Sequence, residues 1–347
     1  MPFGQIVIGP PGSGKSTYCN GCIQFYDAIG RHAKVINMDP ANHKLPYRCD
    51  VDIRDFITLE EIMNEHHLGP NGGLMFALES VEKSLSLFAL QIKALIKEEN
   101  PYLVFDCPGQ VEMFTHNSAL PRIFKNLEKE LDLRLCVVNL VDSIYITSPS
   151  QYISVLLLAL RSMLMMDLPH INVFSKIDML SSYGELPFRL DYYTEVQDLE
   201  YLEPFVEAKG SSALEKRYSK LTKTISELVS DFNLVSFEVL CVDDKQSMIN
   251  LQSVIDKSNG YIFGSSEVGG DTVWAEATRQ GMAVADYDIQ DRWIDNKELY
   301  DQEEQKKREE LIKEQELGDK EIDVNEEDSW ERALMEWDEK HSVPFAK

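Results

Sequence analysis

The sequence predicts an α/β fold with a mostly parallel sheet, and three observations predict it. Strand-type and helix-type segments alternate from the first residues onward, the order that builds crossover connections. Residues 135–141 form a run that is apolar but for Asn139, as strands covered on both faces do. A glycine-rich stretch, Gly9-Pro10-Pro11-Gly12-Ser13-Gly14-Lys15-Ser16-Thr17, stands between an apolar strand pattern at 3–8 and a helical pattern at 16–28. It matches G-x-x-x-x-G-K-[ST], and the strand–loop–helix setting is what gives that motif weight. The expected architecture is the three-layer P-loop NTPase fold.

The remaining elements follow in order. Residues 34–38 read as a second strand that runs out onto Asp39. A polar loop with Pro40, Asn42, His43 and Pro46 comes next. Residues 59–66 read as a short helix, and Leu68-Gly69-Pro70-Asn71-Gly72-Gly73-Leu74 as a strong break. A helix over 84–97 places Leu85, Phe88, Ala89, Ile92 and Leu95 on one face. Residues 102–106 are a third strand, apolar until Asp106, followed by a loop over 107–117 and a helix over 119–131. Beyond the apolar fourth strand, Ser148-Pro149 opens a helix with a hydroxyl cap and proline at the first position. A fifth strand spans 170–174, and an aromatic-rich, polar insertion covers 187–204. A helix over 214–232, a sixth strand over 235–242 and a helix over 247–258 close the core, the last with Met248, Leu251, Val254 and Ile255 inward.

Composition divides the chain in two. Residues 1–264 form the nucleotide-binding domain, with insertions at about 68–73 and about 181–210, and 265–347 form an acidic, partly helical extension. The net charge is −25, and 22 acidic against nine basic residues fall between Asp286 and Lys340. Such a balance argues against direct contact with nucleic acid, which calls for a basic face, and against anionic membranes. The most apolar window, 153–168, is interrupted by Arg161 and Asp167 and reads as a core helix. Six cysteines in 347 residues make no disulfide scaffold, and 3–8 is too short for a leader. A reducing compartment, cytoplasmic with possible passage to the nucleus, is the expectation. In the extension, a charged helix is expected over 291–317, and Trp330, Ala333, Leu334 and Trp337 recur at helical spacing. That stripe is a clasp onto the core or a docking helix.

The chemistry is expected where parallel strands end. Gly12, Ser13, Gly14, Lys15, Ser16 and Thr17 would cradle phosphates: glycines free backbone N–H groups, and the helix start adds its dipole. Lys15 reaches the β- and γ-phosphates, and the Ser16 hydroxyl ligates Mg²⁺. Asp39 ends the second strand and Asp106 the third. Asp106-Cys107-Pro108-Gly109-Gln110 has the D-x-x-G form of nucleotide switches, so Asp106 would hold Mg²⁺ through water and the Gly109 N–H would meet the γ-phosphate. Gln110 stands where a side chain orients attacking water, with Asp39 and Glu112 as further candidates. Ser175-Lys176-Ile177-Asp178 fits the guanine motif N-K-x-D with serine for asparagine. There the Asp178 carboxylate would accept from guanine N1–H and the N2 amino group, a donor pair adenine lacks. Ser175, shorter than asparagine, is expected to lose a loop-bracing hydrogen bond. Val242-Asp243-Asp244 is the expected second base-side loop, and Ser211-Ser212 a helix cap.

These residues resemble a known family, the GPN-loop GTPases. Gly69-Pro70-Asn71 is similar to the insertion that names it, and Gly9 to Lys15, Asp106 to Glu112 and the Ser-Lys-x-Asp variant fit as well. The resemblance spans about 1–264 and looks closest to the second of three eukaryotic branches. It implies a dimeric, Mg²⁺-dependent GTPase in which Asn71 reaches the γ-phosphate region of the facing subunit. Related dimeric ATPases carry a lysine at the place of Pro10, which offers no charge. No clear arginine finger stands in the switch segments, where Arg48 and Arg54 are the arginines to consider. The resemblance also implies a homodimer or a heterodimer with a paralogue. Its partners would be RNA polymerase subunits or their assembly chaperones, in polymerase assembly and nuclear import.

Two other functions fit the same motif: a P-loop kinase of a small acceptor, and an assembly scaffold in which turnover is incidental. The kinase needs a lid arginine cluster, and 187–204 offers only Arg189. Other features read blandly. Cys19 and Cys22 lack a second ligand pair and are packing residues. His66 and His67 are helix-end surface. Tyr192, Tyr193, Tyr201 and Phe205 are a packed insertion rather than a base-stacking platform. Met163, Met165 and Met166 are core or a dimer face.

Overall fold

A computed structural model describes residues 2–42, 44–209, 213–261, 288–303, 305, 306 and 309. The chain divides into a compact unit from Met1 to Trp293 and a second from Ile294 to Lys347. In the second unit the described residues 297–303 are helical. Of the expected 291–317 helix, Asp291–Asp295 form a π-helical turn, and 304, 307, 308 and 310–317 lie outside the described residues, as do the Trp330–Trp337 stripe and the Ser211-Ser212 cap.

The first unit runs β1 (Phe3–Ile8), α1 (Lys15–Ile29), β2 (Ala33–Asn37), β3 (Val51–Asp52), α2 (Leu59–His66), α3 (Pro70–Lys83), α4 (Leu85–Glu99), β4 (Tyr102–Asp106), α5 (Glu112–Thr115), α6 (Ala119–Leu131) and β5 (Arg134–Asp142). It continues with α7 (Pro149–Met166), β6 (His170–Ser175), α8 (Leu180–Tyr183), α9 (Leu190–Glu195), α10 (Glu203–Lys209), α11 (Ala213–Phe232), β7 (Phe237–Leu240) and α12 (Lys245–Ser258). Seven strands make one sheet in the order β3-β2-β4-β1-β5-β6-β7, and each pairing is parallel.

Side-chain alternation creates the layers. Ile6, Ile8, Ile36, Leu103, Phe105 and Val137 point to one face, under α3, α4 and α6. Val7, Val35, Val104, Cys136 and Val138 point to the other, where α1 and α12 bring Cys19, Cys22, Met248, Leu251 and Ile255. Cys19 and Cys22 are thus fully buried packing residues. A third cluster beyond β5 gathers α7, the insertion around Leu190–Leu202 and Trp293. Phe188 lies against Tyr192 and Phe205, and Tyr152 against Tyr193, so Tyr192 and Tyr193 are packed as expected, whereas Tyr201 and Phe205 remain exposed.

Three local differences from the sequence reading have physical reasons. The edge strand β3 is too short for a periodic signal. The 68–74 break conceals a helix start: Gly69 is the N-cap of α3 and Pro70 its first residue, the position where proline's missing N–H does no harm. Gly73 then continues the helix because a Cβ there would lie 2.8 Å from Leu59 Cδ1, so glycine lets α2 and α3 meet. In α7 Pro149 sits at the first position as expected, but the Ser148 hydroxyl makes no capping bond. By length and composition α7 is apolar enough to cross a membrane, and half of it is buried within the fold.

Candidate functional site

The site forms where the central strands end. β1 and β4 are neighbours with Val7 opposite Asp106, so the loop after β1 and the loop after β4 leave the sheet side by side. Gly9 has φ 148°, and a Cβ on it would lie 2.2 Å from Leu140 O, so only glycine fits. Gly14, left-handed at φ 87°, is the N-cap of α1 and provides no side-chain cap, which leaves the first N–H groups of α1 for an anion. Ser13 Oγ is buried without a hydrogen-bond partner among the described residues. A cradle with an uncapped helix start and an orphaned buried hydroxyl is built to receive a polyoxyanion.

The charged groups crowd this cradle. Lys15 Nζ donates to Gly9 O (3.1 Å) and Pro10 O (3.2 Å). Ser16 Oγ donates to Asp106 Oδ2 at 2.8 Å, and Tyr47 OH donates to the same oxygen at 2.7 Å. A Cβ on Gly109 would lie 2.9 Å from Lys15 Nζ, so the switch loop closes directly on the P-loop lysine. Asp39 accepts from the Ala41 N–H at 2.9 Å. Burial drives all three charges toward neutrality. It raises the Asp106 and Asp39 carboxyls against the pull of their hydrogen bonds and of Lys15, and it lowers Lys15 against the pull of Asp106 and Asp39.

Among the described residues no three His, Cys, Asp or Glu side chains cluster as a metal cage. The Ser16–Asp106 pair suits an ion of the Mg²⁺ kind, which takes one or two protein oxygens and completes its shell with phosphates and water. Gln110 is half-buried beside the site. Glu112 is exposed in the first turn of α5, Thr17 is exposed on α1, and Asn71 is exposed in the first turn of α3. The fold thus joins the P-loop, Asp39, Asp106 and Gly109, and leaves Asn71 facing outward.

The base-side loop is braced to the phosphate loop. Ser175 Oγ donates to Ser13 O at 2.8 Å and to Val141 O at 3.2 Å. The serine therefore keeps the loop-bracing bond its shortness was expected to lose, because β6 brings the backbone close enough. Lys176 is left-handed at φ 56°, its Nζ pairs with Asp142 Oδ2 at 2.6 Å, and its Cε lies 4.0 Å from where a Gly14 Cβ would stand. Its stem thus crosses the end of the P-loop. Asp178 follows, partly exposed, in the 3₁₀ turn Ile177–Met179.

Asp244 differs from expectation. It is buried and caps α12, accepting from Gln246 N (3.1 Å) and Ser247 N (3.3 Å), which leaves the exposed Asp243 to the base side. Sequence reasoning missed Tyr47, Asp142 and Ser143, whose Oγ bonds Lys176 O at 2.9 Å. The strand-end rule that found Asp39 and Asp106 would have found Asp142 at the end of β5; nothing in the sequence marked Tyr47. An apolar cavity of about 340 Å³, bounded by Pro10, Val111, Phe114, Val141, Val155 and Leu158, adjoins the P-loop on the α7 side.

The chain matches the family model described as "Conserved hypothetical ATP binding protein" over residues 7–261. It is 76% identical over 347 residues to GPN-loop GTPase 2 of Saccharomyces cerevisiae, covering 100% of both chains. The chain belongs to the GPN-loop GTPases. It is also 50% identical over 302 residues to GPN-loop GTPase 2 of Schizosaccharomyces pombe, with 87% of this chain and 94% of that one covered. In fold it is similar to a Pyrococcus abyssi GTPase solved in apo form. The TM-score is 0.58 at 24% identity, covering 74% of this chain and 97% of that one. Within the family it falls with the second of the eukaryotic branches, as the Ser-Lys-x-Asp variant and acidic extension suggested.

Proposed function

We propose that this GPN-loop GTPase binds GTP with Mg²⁺ across the β1, β4 and β6 strand ends and hydrolyses it by water attack on the γ-phosphate. The carrying observation is a pair of hydrogen bonds into the phosphate loop, Ser175 to Ser13 O from the base-side loop and Ser16 to the metal-side acid Asp106. Phosphate oxygens would replace Gly9 O and Pro10 O as partners of Lys15. Lys15 and the amides of Gly12 to Ser16 then meet the charge that develops as the bond to the β-phosphate breaks. Ser16 and Asp106 would hold Mg²⁺, which supplies charge neutralisation on the phosphates when bound. Gln110 orients the water, with Asp39 beside Lys15 next in line. Glu112, exposed, is the weaker candidate. Asp178 reads guanine, which favours GTP although the family description speaks of ATP.

The working form is a dimer, with itself or with a paralogue, in which Asn71 completes the partner's site. Exposure of Asn71 at the start of α3 supports this reading, since it leaves the side chain accessible to a facing subunit. The cellular role, carried by the family resemblance, is assembly and nuclear import of RNA polymerase complexes from the cytoplasm, through polymerase subunits or assembly chaperones. Neither nucleic acid nor membrane is a direct partner. One experiment tests the core of it: a mixture of Asn71→Ala and Lys15→Ala proteins should regain GTP hydrolysis through heterodimers. No recovery in a mixture shown to exchange subunits would overturn the shared site. Phosphate transfer to an added acceptor in place of free phosphate release would instead favour a kinase.

A further inference from the structure

The loop between β2 and β3 enters the site at Tyr47. The tyrosine ring is buried at 7% exposure in the cluster that also holds Val7, Tyr18, Val35 and Val104. That packing needs only a phenyl ring. The hydroxyl has a separate task, since it donates to Asp106 Oδ2 at 2.7 Å. Ser16 Oγ donates to the same oxygen at 2.8 Å. Both donors meet Oδ2, and Oδ1 takes no hydrogen bond from the described residues. Two donors from different loops thus fix one carboxylate and leave one of its oxygens without a protein donor. The same loop touches the site a second time: Asn42 Nδ2 reaches Ser16 Oγ at 3.5 Å, and Asn42 O accepts from Arg54 Nη1 at 2.6 Å.

We propose that Tyr47 is a positioning residue for the metal-side carboxylate. Its hydroxyl holds Asp106 so that Oδ1 is kept for the hydrated ion, and it ties the loop between β2 and β3 to the state of that carboxylate. The proposal rests on the Mg²⁺-dependent reading above. The effect of Tyr47 runs through Asp106. A hydrogen bond between a neutral donor and a charged acceptor is strong enough for its loss to matter to ion affinity.

The test is release of a fluorescent GDP analogue from full-length protein as free Mg²⁺ is varied, with wild type, Tyr47→Phe and Tyr47→Leu. Wild type should release nucleotide faster as Mg²⁺ is withdrawn. Tyr47→Phe should need about five- to ten-fold more free Mg²⁺ for the same retention, with its release in EDTA equal to wild type. Tyr47→Leu, which also removes the ring, should be faster under both conditions. Equal Mg²⁺ titrations for wild type and Tyr47→Phe would overturn the proposal, as would a Tyr47→Phe defect of the same size in EDTA. If wild type itself ignores Mg²⁺, the metal reading fails first, and the outcome is recognisably different.

Discussion

Two of the places where the molecule buries charge are solved in opposite ways. At Arg31 and Asp256 every need is met within the fold. Arg31 Nη1 and Nη2 donate to Asp256 Oδ1 and Oδ2 at 2.9 and 2.6 Å, and the residues are 2% and 0% exposed. The guanidinium carbon lies 4.1, 4.9 and 5.2 Å from the rings of Tyr261, Tyr26 and Tyr102. Burial works to lower the Arg31 pKa, yet the charge and hydrogen bonds of Asp256 outweigh it and raise the group further. At the nucleotide site, by contrast, burial wins: Asp106, Asp39 and Lys15 are all pushed toward neutrality. Lys15 is bonded to carbonyls rather than carboxylates. The first cluster is balanced by its own ion pair, and the second is dominated by burial. A bidentate pair in an aromatic cage joins the start of the domain to its last helix and does structural work. An unbalanced cluster is less stable on its own but ready to bind.

That contrast can be broken or sharpened. Arg31→Ala should lose the most stability, about 3–5 kcal/mol in urea unfolding, because the buried Asp256 loses the guanidinium that bonds both its oxygens. A loss under 1 kcal/mol would remove the structural reading. Lys15→Ala should do the reverse. Unfolding should stay near wild type while GTP turnover falls by about 10²–10³-fold, the range for removal of one transition-state donor. Asp106→Asn should stabilise the nucleotide-free protein by about 1 kcal/mol and weaken nucleotide retention in Mg²⁺. The sign follows from the raised carboxyl. Its contribution is most favourable below the ordinary carboxylate range and declines as pH rises through that range to the folded pKa. The gain should therefore be present at pH 7 and vanish in acid; equal stability at both would count against it. Ser175→Ala is the smallest, about 1 kcal/mol for one lost brace. It should appear as faster guanine-nucleotide release rather than altered base choice. Asp178→Asn, in contrast, should move preference from GTP toward xanthosine triphosphate in competition binding.

The sequence was most informative where chemistry and periodicity coincide. The P-loop, Asp39, Asp106 and the Ser-Lys-x-Asp turn stand at strand ends, where the backbone must turn and residue types are constrained. Strand β4 is apolar from Tyr102 to Phe105, β1 from Ile6 to Ile8 and β5 from Leu135 to Val138, runs that cannot be mistaken for surface. Tyr47 was not legible, because a tyrosine in a polar loop has no period and its partner is 59 positions away. Asp244 was legible as an acid after a strand but not as a cap, because both roles place the same residue at the same spot. Helix α3 hid behind Gly69, Pro70, Gly72 and Gly73, which signal a break unless the packing of Leu59 against Gly73 is known.

By itself, then, the sequence determined the fold class, the phosphate cradle and the guanine-type turn, since these depend on local backbone geometry and on neighbours within a few positions. Tertiary structure decided which buried charges are balanced. Asp106 and Asp256 are both acids in an apolar setting. Only the sheet order that sets β4 beside β1, and the packing of α12 against α1, determine that one meets two hydroxyls and the other an arginine. Desolvation depends on everything within several ångströms in space, and no local pattern in the chain records it.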